Sequence, residues 1–82
     1  MARVAADSEE LVAGQEYYVM MVVLPLGTPG NTKVQEAYGG ITADPGDTVE
    51  SVKNYLLDLA IGFWEDEYPP AKSYSIYSFS IV

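Results

Sequence analysis

The chain has 82 residues, a net charge of −8 and no cysteine or histidine. One domain fits that length. Disulfides and thiolate metal sites are excluded, and so are the commonest general base and the commonest metal ligand. Only Arg3, Lys33, Lys53 and Lys72 are positive, so the surface repels nucleic acid and anionic lipid and favours a basic protein partner.

A domain this small buries only about 60–65% of its unfolded surface, so every large apolar residue counts. The apolar fraction of 49%, with seven Tyr, two Phe and one Trp, suits a folded domain rather than a disordered chain. The longest apolar run, Tyr17 to Leu26, is half of the roughly 20 residues a membrane helix needs. The first residues, "MARVAADSEELVAG", have no apolar core and are not a signal peptide. The expectation is no membrane association and, for lack of targeting signals, a cytoplasmic location.

Residues 1–15 read as an arm or a short helix, and 16–82 as a single domain. Asp7 and Glu10 could form a capping box, with Gly14 as the stop. So short a helix is marginal unless it docks.

"EYYVMMVVLPL" is the clearest strand. Tyr17, Val19, Met21 and Val23 face one way; Tyr18, Met20, Val22 and Leu24 face the other. A strand apolar on both faces is central. One face must meet a helix, and the other then needs an arm or a second chain.

"GTPGNT" reads as a hairpin loop. Its Gly30-Asn31-Thr32-Lys33 lacks the spacing of a phosphate loop. "TKVQEAYGGITA" returns as a more polar edge strand, and Gly39-Gly40 predicts a bulge or bend in it. "DPGD" turns into a helix capped by Asp47, with Glu50 at the third position and Gly62 as the stop. Val49, Val52, Leu56, Leu59, Ala60 and Phe63 form its apolar stripe. "FWEDEYPPAK" reads as a loop. "SYSIYSFSIV" reads as a last strand, with Tyr77, Phe79 and Ile81 on one face.

The expected fold is therefore α+β: a small mixed sheet of order 2-1-3, ββαβ, with one helix on one face. The last strand is expected parallel to the first through a right-handed crossover.

The run Asp47-Thr48-Val49-Glu50-Ser51-Val52-Lys53, preceded by a hairpin, resembles the ubiquitin-like β-grasp scaffold. The likeness covers roughly Tyr17 to Ile61. It implies a compact scaffold that commonly binds other proteins. Conjugation does not carry over, because the chain ends in Ile81-Val82 and Gly39-Gly40 is internal.

The residue inventory offers no catalytic constellation. The hydroxyls have no histidine to activate them. Lys72-Ser73 has nothing else in support. Asp44, Asp47 and the Glu65–Glu67 cluster lack calcium-loop spacing. No cofactor is implied.

Protein binding is the better class, and the chain reads as an adaptor or inhibitor that docks on a larger protein. Trp64, Glu65, Asp66, Glu67 and Tyr68 form an aromatic–acidic patch unless Trp64 folds back to cap the helix end. Tyr77 and Phe79 lie on a last strand open to strand addition, which also offers a route to a homo-oligomer. Two alternatives stand beside this reading. One is a nucleic-acid-mimicking inhibitor of the kind phages encode. The other is a structural subunit of a symmetric assembly such as a virion component.

Overall fold

The computed structural model describes residues 6–27 and 33–82. Three strands and one helix follow in the order β1 (Glu16–Leu26), β2 (Gln35–Thr42), α1 (Val49–Glu67) and β3 (Ser73–Ile81). The sheet order is β2-β1-β3, and the class is α+β. The hairpin loop expected after β1 lies, apart from Gly27, outside the described residues.

Both neighbours of β1 run antiparallel to it. This corrects the mixed sheet expected from the sequence. The crossover through α1 leaves from β2, not from β1. The parallel partners it relates are thus β2 and β3, with β1 inserted between them. Pro25 lies where β1 has lost β2 and keeps only β3 as neighbour. A strand tolerates a proline in such a place.

The strand alternation of β1 decides the core. Val19, Met21 and Val23 are wholly buried and Tyr17 nearly so. They meet Val49, Val52, Leu56 and Ala60 of α1, with Ala37 and Ile81 from the flanking strands. The helix lies closer to β2 than to β3.

Gly39 and Gly40 do not bulge. They pair in register with Val19 and Tyr18, and neither has positive φ. The irregularity lies in β3 instead, where the register shifts between Val22 and Val23 and leaves Tyr77 unmatched. Beyond the shift the alternation resumes one residue out of phase. Tyr74, Ile76, Phe79 and Ile81 therefore all face the core, while Tyr77 is 71% exposed. The expected face of Tyr77, Phe79 and Ile81 is split by one extra residue.

Residues 6–15 form no helix. Their backbone instead completes the start of α1. Glu9 O accepts from Val49 N, Asp7 O accepts from Glu50 N, and Leu11 N donates to Asp47 O. An isolated bridge joins Glu10 to Thr48. The first amides of a helix have no partner within it, and here a neighbouring strand of backbone supplies the acceptors. Leu11 is buried in the core, Val12 N donates to the Tyr17 hydroxyl, and Lys53 pairs with Asp7 at 2.9 Å.

The helix cap sits one residue later than expected. Thr48 is the N-cap and forms a reciprocal box with Ser51. Asp47 serves the turn before it, accepting from Asp44 N. That turn carries Pro45 and then Gly46 at φ 88°, the arrangement of a type II turn.

At its other end the helix runs through Gly62 to Glu67, and Tyr68 is the C-cap. The expected loop "FWEDE" is its last turn and more. Pro69-Pro70 stops it. The buried stripe is Val49, Val52, Leu56, Ala60 and Trp64, so Trp64 takes the place expected for Phe63.

Candidate functional site

The expected aromatic–acidic patch divides. Trp64 is 2% exposed. Its ring stacks on Tyr68 at 4.3 Å, and its indole N–H donates to Pro69 O. Tyr68 is partly buried and accepts a hydrogen bond from Lys33 Nζ. That contact holds the Lys33 ammonium above its ordinary pKa. Trp64 is thus a structural anchor for the helix end, not a presented side chain.

Glu65, Asp66 and Glu67 are exposed on the last turn. No base accompanies them there, so three carboxylates add to the negative end of the helix dipole. Glu65 is engaged. Tyr74 donates to its Oε2 at 2.7 Å and accepts from Ala71 N. Tyr77 points to solvent while Phe79 turns inward, with Lys53 Nζ 5.7 Å from its ring. The seven candidate residues do not share one surface. Among the described residues, no three acidic side chains are grouped to hold a metal.

Partial burial and the Glu65 carboxylate raise the Tyr74 pKa, and the Ala71 amide opposes them. A raised pKa means the protonated phenol is favoured on folding. Its contribution is complete below the ordinary tyrosine value of about 10 and is lost as pH rises through the folded value. Glu65→Gln removes the anionic acceptor, so the Tyr74 step in an alkaline absorbance titration should move to lower pH. An unmoved step would mean the carboxylate does not hold the phenol.

The face of β1 that the sequence expects an arm or a second chain to cover is the outer face of the sheet. Tyr18, Met20 and Leu26 are 50%, 38% and 44% exposed; Val22 and Leu24 between them are half-buried. Among the described residues nothing lies over them, because the arm folds to the helix side. β2 flanks this apolar ridge with Glu36, Tyr38 and Gly40. β3 flanks it with Ser73, Ser75, Ser78 and Ser80. The signal was present as the double apolar alternation of β1. What the sequence could not say is which of the two faces α1 would cover.

Among the described residues the depressions are open to solvent. One lies at the end of this face, lined by Glu16, Tyr18, Gly40 and Val82 among others. Among the described residues no helix is long and apolar enough to cross a membrane.

The chain matches no family model, no curated protein and no solved structure. Its three-stranded sheet with one helix is compatible with a β-grasp-like α+β fold.

Proposed function

We propose that this chain is a non-enzymatic protein-binding module that docks through the open face of its sheet. The uncovered ridge Tyr18-Met20-Val22-Leu24-Leu26 carries the reading. Contiguous apolar surface on a small soluble domain marks an interaction site. The likeness to β-grasp scaffolds supports the same reading, since they commonly serve as docking platforms.

The opposite side is acidic. Glu50, Asp58 and Glu65 are exposed there along the outer line of α1, and the helix-end carboxylates strengthen the field. A charged partner meeting that side would be basic.

A photo-crosslinking side chain placed at position 20 tests the docking surface against one placed at position 54, on the outer side of the helix. In the native host, position 20 should yield a defined protein adduct that position 54 does not. The adduct should disappear with Val22→Lys. Equal labelling from both positions, or none from position 20, would overturn the reading.

A further inference from the structure

We propose that the occupant of the open face is a second copy of this chain, the two sheets packing face to face about a two-fold axis that runs along β1. The inference rests on the docking reading above and names the partner.

The cross-strand rows carry it. Gly40 pairs with Tyr18, which exchanges backbone hydrogen bonds with Val82. Tyr38 pairs with Met20, which pairs with Ser80; Glu36 pairs with Val22, which pairs with Ser78. In the first two rows one flank is large and the other small; in the third the bulge sets the exposed Tyr77 beside Ser78. A two-fold axis along β1 keeps every row at its own height and exchanges the flanks. It therefore lays β2 of one copy over β3 of the other. Tyr38 then meets Ser80, Val82 meets Gly40, and Glu36 meets the hydroxyl of Ser78. An axis across the strands would instead set β2 on β2 and reverse the rows, losing this match. Isologous contact of this kind is the commonest way a soluble protein pairs with itself, and aligned sheets pack within about 30° of each other.

Charge agrees. The other acids lie on the arm, the turn and the helix, leaving Glu16 and Glu36 as the acids of this face. A chain of net charge −8 can approach its own copy most closely here. Strand rise and spacing give the face roughly 30 by 15 Å. Pairing two such faces removes about 900 Å² in all, the size of a weak, reversible interface.

Sedimentation equilibrium of the full chain should give twice 8.9 kDa. The dimer should tighten on going from low to high salt, as screening weakens repulsion between the acidic outer sides. Tyr38→Ser alone and Ser80→Tyr alone should each weaken it at least tenfold, with circular dichroism unchanged. The chain carrying both substitutions should recover most of the loss, because the exchanged flanks again meet large with small. A monomer at every concentration overturns self-pairing; if position 20 still crosslinks to another protein, docking itself stands. A dimer indifferent to all three variants is edge-paired, and it overturns the face geometry.

Discussion

Trp64→Ala should cost about 3–5 kcal/mol, the usual effect of emptying a buried aromatic site. A chain of this length has a total stability of roughly 4–12 kcal/mol, so the loss takes at least about a quarter of it, and most or all of it at the low end of that range. Three separate contacts converge on this residue. Its ring is excluded from water, it stacks on Tyr68, and its N–H satisfies Pro69 O. Those contacts fasten the last turn of α1 to the segment that leads into β3. Phe63→Ala is the control. Phe63 adjoins Trp64 but is 48% exposed, so its removal should cost about 1 kcal/mol or less. Urea denaturation of the two variants checks the pair. Equal losses would mean that the helix stops at Gly62 and that neither ring is anchored.

This contrast also shows how a helix end is misread. A lone glycine in a helical pattern costs only about 1 kcal/mol relative to alanine. The burial of Trp64, at i+4 from Ala60, outweighs that cost. Pattern and length therefore should have prevailed over the glycine, and the real stop was Pro69-Pro70. The N-cap slipped for a related reason. Asp47 and Thr48 are both good caps, and the choice between them depends on the turn. Asp47 is occupied by Asp44 N, leaving Thr48 to face Ser51.

The strand order and the central place of β1 were legible because a strand apolar on both faces has only one comfortable position in a three-stranded sheet. The direction of β3 follows from the same element order: the helix leaves β2, so the crossover sets β3 parallel to β2 and antiparallel to the β1 that lies between them. The bulge at Tyr77 was hidden. "SYSIYSFSIV" alternates well enough in either phase, and only pairing with β1 forces the switch. The arm was undecided in the sequence because its contribution to the helix start is made by backbone. The carbonyls of Asp7 and Glu9 serve the helix start, and any residue type could supply them.

Met21→Lys should abolish folding, whereas Met20→Lys should leave the fold intact. The two residues are adjacent and chemically identical, so the comparison isolates the face. Met21 is wholly buried under α1. A lysine there must either bury an unpaired ammonium or displace the helix, and either costs several kcal/mol. Met20 is 38% exposed on the outer ridge, where a lysine can extend to water. Circular dichroism and urea melts should separate the variants by most of the total stability. The same Met20→Lys chain should sediment as a monomer, since it sets like charges against each other at the centre of a face-to-face pair. Under the proposed pairing, the apolar character of Met20 answers to association and that of Met21 to folding, and a strand apolar on both sides is what such a pair requires.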